Sequence, residues 1–271
     1  MSNALLRILT AVIGGTLLLG LAYLGGWYFG VLVLLLGLLA QHEVYAMMEQ
    51  GGGHPWKAAG LALGAVLALR AFVPFAMPLA AVGLLALLVW STFAKTETPL
   101  ADLSGTVFGA LYPAALLAFL TDLRLAEGPS VGNLEAFYLT LSVLLLIWAT
   151  DILAYYTGKA IGKHKLAPSI SPKKTWEGSI GGAVGALLAA VALKMTLIGF
   201  LDWPHVIALA LICGVVSQVG DLAESRFKRA AGVKDSGTIL PGHGGVLDRF
   251  DAALLAAPLA YLYLAYIARL F

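Results

Sequence analysis

The sequence predicts an all-α fold: a polytopic membrane bundle of about nine transmembrane helices, with two charged cytoplasmic loops forming the site. Three observations predict it. First, 60% of the 271 residues are hydrophobic and only 12% are charged, against about 25% charged in a soluble domain. A chain of this length cannot hide so much apolar surface from water. Second, apolar runs close to the roughly 20 residues that cross hydrocarbon recur along the whole chain. Third, no run alternates over about ten residues as an outer-membrane barrel strand does. Backbone groups in lipid must be satisfied within their own segment, so the spans are helices.

The spans are read in order at 5–24, 28–48, 57–73, 76–94, 104–121, 135–157, 178–199, 204–220 and 252–270. The first carries Arg7, lacks a small-x-small cleavage site and is followed at once by another span, so it reads as a retained helix. Pro74 and Pro78 separate the short third and fourth spans. Cys213 lies inside the eighth, in LALICGVV, and as the lone cysteine it makes no intrachain disulfide. Residues 1–134 read as scaffold. Residues 135–271 read as the catalytic region, with loops at 158–178 and 221–250.

Orientation follows from Lys and Arg. With nine spans, one side receives Arg7, Lys57, Lys95, five lysines between Lys159 and Lys174, and Arg226, Lys228, Arg229, Lys234 and Arg249. Only Arg70, Arg124, Lys194 and Arg269 fall on the other side or its helix ends. This bias places the N-terminus and both charged loops in the cytoplasm.

Polar chemistry is concentrated in two stretches, DILAYYTGKAIGKHKLAPSISPKKTWEG (Asp151 to Gly178) and GDLAESRFKRAAGVKDSGTILPGHGGVLDRFD (Gly220 to Asp251). Asp151 and Asp221 each close a long apolar run, and Asp248 and Asp251 open the last span. A carboxylate at the edge of hydrocarbon is expensive unless paired or metal-bound. A structural ion pair explains any one of them. Several on one face suit Mg²⁺, which takes one or two protein carboxylates plus phosphate oxygens. Asp221 and Asp248 are the expected metal pair. Asp221, Glu224, Ser225 and Lys228 follow helical spacing and share one face.

For the lysines between Lys159 and Lys165, topological bias or attraction for anionic lipid is as good a reading as a role in the site. Lys173, Lys174, Lys228, Arg229 and Lys234 interleave with acids, serines and glycines, as expected where metal and phosphate are held together. The glycines of PGHGG permit positive φ and bare N–H groups, the ingredients of an anion nest, just before a helix start. His243 stands without a second His or Cys at zinc spacing, which excludes a zinc site. No G-x-S-x-G and no P-loop pattern occurs. Glu43, near the end of the second span, reads as a capped or paired helix end. The residues alone therefore describe a cytoplasm-facing, metal-dependent phosphate site in a membrane bundle, belonging either to an enzyme acting on phosphorylated lipid or to a transporter of phosphorylated solutes.

SRFKRAAGVKDSGTILPGHGGVLDRFD resembles the C-terminal signature of phosphatidate cytidylyltransferases (CDP-diacylglycerol synthases). Ser225, Phe227, Lys228, Arg229, Lys234, Asp235, Gly237, Leu240, Pro241, His243, Gly244, Gly245, Asp248, Arg249 and Asp251 fill the pattern without a gap. The upstream stretches DILAYYTGKAIGKHKLAPSISPKKTWEGSIGG and QVGDLAES are similar as well. The first half matches only in hydropathy.

The resemblance implies an enzyme of phospholipid biosynthesis in a bacterial-type inner membrane. It would transfer a cytidylyl group from CTP to phosphatidate, giving CDP-diacylglycerol and pyrophosphate by metal-assisted attack of the lipid phosphate on the α-phosphorus. It implies Mg²⁺ on Asp221 and Asp248, with Asp251 and Asp151 in support, and a second cation such as K⁺. Lys173, Lys174, Lys228, Arg229 and Arg249 would neutralise phosphates. Ser225, Lys234, His243, Gly244 and Gly245 would contact substrate. Expected partners are CTP, phosphatidate, membrane lipids and a second copy of the chain in a homodimer, and no nucleic acid. A transporter, or a related CTP-dependent enzyme acting on another membrane lipid, remains the alternative.

Overall fold

A computed structural model describes residues 3–240, 242 and 244–271, with side chains from residue 8 onward. Pro241 and His243 lie outside the described residues. The chain forms two compact units, one of Met1–Thr121 with Lys228–Phe250, the other of Asp122–Phe227 with Asp251–Phe271.

The first unit begins with α1 (Asn3–Leu24), α2 (Gly26–Gln50), α3 (Lys57–Ala68) and α4 (Ala76–Phe93). Next comes α5 (Pro99–Gly109), which runs on through a widened π-helical turn at Ala110–Ala115. Pro113 sits in that turn. A proline has no N–H to give the ladder, so the helix must widen or kink there. The Arg70 guanidinium, just past the end of α3, donates to the Ala115 carbonyl at 2.8 Å and lies 4.2 Å from the Phe119 ring centroid. Leu63, Leu67, Ala80, Leu87, Ala110 and Ala115 form an apolar cluster. Tyr45, fully buried on α2, donates to the Thr106 carbonyl at 2.6 Å, and Gln41 donates to the Gly60 carbonyl at 2.7 Å.

The second unit holds α6 (Phe119–Arg124, from Asp122 on), α7 (Asn133–Ile161) and α8 (Trp176–Thr196). It continues with α9 (Trp203–Leu211), a π-turn at Ile212–Val216, and α10 (Ser217–Ala230) as far as Phe227. The last helix, α11 (Leu247–Leu262), enters this unit at Asp251 and ends in a π-turn at Tyr263–Ile267. Helices α7 and α8 pack along a seam of glycines. A Cβ at Gly178 would stand 2.8 Å from the Ala154 carbonyl oxygen, and one at Gly182 would stand 2.9 Å from that of Thr150. Close approach of this kind is how small residues join helices in lipid, where apolar burial supplies little drive.

Seven helices among the described residues are long and apolar enough to cross a membrane. All nine expected spans meet a helix, but two of those fall outside the seven: the described part of α1, Ile8–Leu24, and α3. The 12 residues of α3 rise about 1.5 Å each, or about 18 Å against roughly 30 Å of hydrocarbon. Leu85, Val89, Trp90 and Phe93 on α4 are all exposed. Around a soluble fold such a surface would be an aggregation liability; around a membrane helix it meets lipid.

The expected loops are shorter than 158–178 and 221–250, because α7 runs on to Ile161 and α10 to Ala230. The first is also not a plain loop. Strands β1 (Lys165–Ala167) and β2 (Ser171–Thr175) pair antiparallel, Lys165 opposite Thr175 and Ala167 opposite Ser171. This hairpin departs from an all-α chain.

Candidate functional site

The hairpin is pinned at its base. Glu177, in the first turn of α8, accepts the Lys163 and His164 amides at 3.1 and 3.2 Å and meets the His164 ring at 2.6 Å. The Thr175 hydroxyl accepts the Gly178 amide at 3.2 Å and caps α8. Held there, β2 brings Lys173 and Lys174 to a cavity of about 540 Å³, which Asp151, Lys159, Gln218 and Asp221 also line. Lys174 Nζ lies 2.6 Å from Asp221 Oδ2, both side chains about a quarter to a third exposed. Asp151 faces the same cavity from α7. Ser225, one turn along α10, donates its hydroxyl to Asp221 Oδ1 at 3.3 Å. Gln218, which the sequence reading passed over, donates to the Gly214 carbonyl at 2.6 Å and the Ser179 carbonyl at 3.0 Å.

A second cluster belongs to the first unit. Lys228 Nζ donates to Asp248 Oδ1 at 2.6 Å, and the two side chains are only 11% and 7% exposed. The Gly245 amide donates to Asp248 Oδ2 at 2.8 Å and the Ser236 amide to the same oxygen at 3.1 Å. Asp248, in the first turn of α11, thus ties that turn to the loop. Gly242 and Gly244 have φ of 74° and 82°, a region that favours glycine. At Gly244 a Cβ would also stand 2.8 Å from Asp248 Oδ2.

Beside them a polar cavity of about 600 Å³ is lined by Lys234, Asp235, Gly237, Gly244 and Arg249 among others. Arg229 is exposed and donates to the Val233 carbonyl at 2.8 Å. Glu43 is 2% exposed and accepts from Ser236 Oγ at 3.0 Å, the Val246 amide at 2.9 Å and the Leu247 amide at 2.8 Å.

The sequence-expected residues therefore fall into two groups. Asp151, Lys173, Lys174, Asp221 and Ser225 belong to the second unit, while Lys228, Arg229, Lys234, Gly244, Gly245, Asp248 and Arg249 belong to the first. Asp251 is in the second unit, its carboxylate accepting the Ala252 amide at 2.7 Å. The carboxylates expected as a metal pair each have a lysine partner, Asp221 with Lys174 and Asp248 with Lys228. Among the described residues no three His, Cys, Asp or Glu side chains gather as a metal cage. Two carboxylates on one cavity, Asp151 and Asp221, are a donor set that fits an ion arriving with phosphate and water ligands.

Comparison with known proteins adds an independent line. The model of the cytidylyltransferase family matches residues 5–267. A phosphatidate cytidylyltransferase of Synechocystis is 37% identical, covering 95% of each chain. One of Brucella abortus is 38% identical over 97% of this chain and 94% of its own. One of Bacillus subtilis is 34% identical over 96% of this chain and 97% of its own.

Proposed function

Given that the chain belongs to the cytidylyltransferase family, we propose that it transfers a cytidylyl group from CTP to phosphatidate, releasing CDP-diacylglycerol and pyrophosphate. The observation that carries this reading is the full-length similarity to relatives bearing that name, at 34% to 38% identity. The site chemistry agrees with it. Both substrates are polyanions and one is anchored in the bilayer, which suits charged lysine–carboxylate pairs in a chain of membrane-length helices.

In the proposed reaction a phosphate oxygen of phosphatidate attacks the α-phosphorus of CTP. A new P–O bond forms there, and the bond to the β-phosphate breaks with its electron pair leaving on pyrophosphate. No nucleophile from the protein is needed, so catalysis is positioning and charge neutralisation. Lys173 and Lys174 neutralise phosphate oxygens in their cavity, and Asp221 orients Lys174. Lys228, Lys234, Arg249 and the amides of the glycine-rich loop do the same in theirs, with Asp248 holding Lys228. Asp151 and Asp221 are the residues that would hold Mg²⁺, which when bound supplies further neutralisation of the phosphates. The charged loops face the cytoplasm, the side to which thirteen of the seventeen basic residues are assigned, and the bacterial relatives favour an inner membrane.

Purified protein in detergent, given CTP, phosphatidate and Mg²⁺, should make CDP-diacylglycerol and pyrophosphate in equal amounts. EDTA or Asp248→Asn should abolish both products while the variant still purifies folded. Absence of product from folded wild type across several lipid and nucleotide pairs would overturn the reading.

A further inference from the structure

Glu43 lies in α2, nearly two hundred residues away in sequence from the signature loop, yet its carboxylate receives three donors from it. Ser236 Oγ donates at 3.0 Å, Val246 N at 2.9 Å and Leu247 N at 2.8 Å. The side chain is 2% exposed. A carboxylate so buried in a mostly apolar helix is tolerated only when its oxygens are satisfied, and here the loop supplies the donors. Two of these are backbone amides beside the first residue of α11, where a carboxylate is also favoured by the helix dipole.

The loop is built around this group. A Cβ at Gly245 would stand 2.5 Å from Glu43 Oε2, and one at Gly237 would stand 2.7 Å from Oε1. Glycine at both positions lets the backbone close over the carboxylate. Ser236 links it to the charged pair, because its hydroxyl bonds Glu43 while its amide bonds Asp248 Oδ2 at 3.1 Å. Asp248 in turn holds Lys228 at 2.6 Å. A connected path of hydrogen bonds thus runs from Glu43 through Ser236 to Asp248 and Lys228.

We propose that Glu43 is a positioning residue of the transferase: it fixes the loop between Ser236 and Leu247 so that Asp248 and Lys228 keep the geometry that turnover requires. The inference rests on the function proposed above. Glu43 contacts no reacting atom. It acts through the backbone of the loop, so its loss should lower kcat and leave the KM for phosphatidate little changed.

The test uses the full-length protein in detergent and reads Glu43→Gln against wild type. Gln keeps the shape but turns an NH₂ group toward at least one N–H donor. Amide hydrogen exchange should quicken at least tenfold at Val246 and Leu247, with protection in α7 and α8 unchanged. The kcat should fall at least tenfold, with KM for phosphatidate within about twofold of wild type. Ser236→Ala, a loop variant with less bearing on insertion, should show the same pattern at smaller amplitude. If Glu43→Gln is not recovered folded, Ser236→Ala decides alone.

Wild-type exchange at Val246 and Leu247 would overturn the anchoring. Quickened exchange with wild-type kcat would overturn the role in turnover. Uniformly lost protection across α7 and α8 would make Glu43 a general stability residue and also overturn the proposal. If wild type itself makes no CDP-diacylglycerol, the function proposed above fails, while the exchange data still report on the anchor.

Discussion

Asp248 carries two duties with one carboxylate: it accepts the Gly245 and Ser236 amides of the loop and pairs with Lys228 inside the protein, the pair 11% and 7% exposed. Breaking a buried pair by removing one partner strands the other charge and destabilises by about 3–5 kcal/mol, whereas replacing both is often neutral. Lys228→Met alone should therefore lower the thermal midpoint strongly. Lys228→Met with Asp248→Asn should recover most of it, and neither variant should turn over. Thermal unfolding in detergent beside the product assay checks this; a double variant as unstable as the single one would show that the pair is not what the fold depends on. The sequence makes both residues candidates for a site and pairs Asp248 with Asp221 only through the coordination habits of Mg²⁺. The structure gives each its own lysine, a pairing that composition does not encode. Glu43 was visible as an odd charge in an apolar helix. Its partners stand 193 to 204 positions away, beyond any local pattern.

Among elements, the glycine seam of α7 and α8 makes the sharpest prediction. Gly182→Val would force a side chain against the Thr150 carbonyl and Ala154 Cβ, where even a Cβ stands at 2.9 and 3.0 Å. Overpacking typically destabilises by about 1–3 kcal/mol, so the melting midpoint should fall and activity with it, whereas Val at the open Gly20 should leave the midpoint unchanged. Long helices were legible because their apolar runs exceed what any soluble core needs. The hairpin was not. Apart from Thr175, Lys165–Ala167 and Ser171–Thr175 contain Lys, Leu, Ala, Ser and Pro rather than β-branched or aromatic residues. What fixes them lies outside the strands, because Glu177 on α8 pins the base of the hairpin through Lys163 and His164. The length of α3 was hidden for a related reason: its apolar run continues past Ala68, but the chain leaves the helix and Arg70 turns to the Ala115 carbonyl.

For the whole molecule, a hydrophobic share of 60% fixed the class, and the scarcity of charge made the few charged segments conspicuous. Which apolar helices reach membrane length was not legible from the same runs, because hydropathy does not reveal where a helix stops. The two lysine–aspartate pairs also have an electrostatic consequence. Neither Lys174 nor Lys228 waits as a bare cation; each is already neutralised by a carboxylate. A phosphate arriving at either lysine would displace one anion in favour of another, and the aspartate it freed would become available to a cation. At these two lysines binding is then an exchange of ions with little change in net charge, so they add little salt dependence beyond that of Lys173 and Lys234, which line the two cavities. Raising ionic strength from about 0.05 M to about 0.5 M shortens the screening length severalfold, yet once Lys173→Ala and Lys234→Ala have removed those cations the affinity for CTP should fall less than about threefold. A titration showing a tenfold loss would mean that the nucleotide meets open positive charge instead.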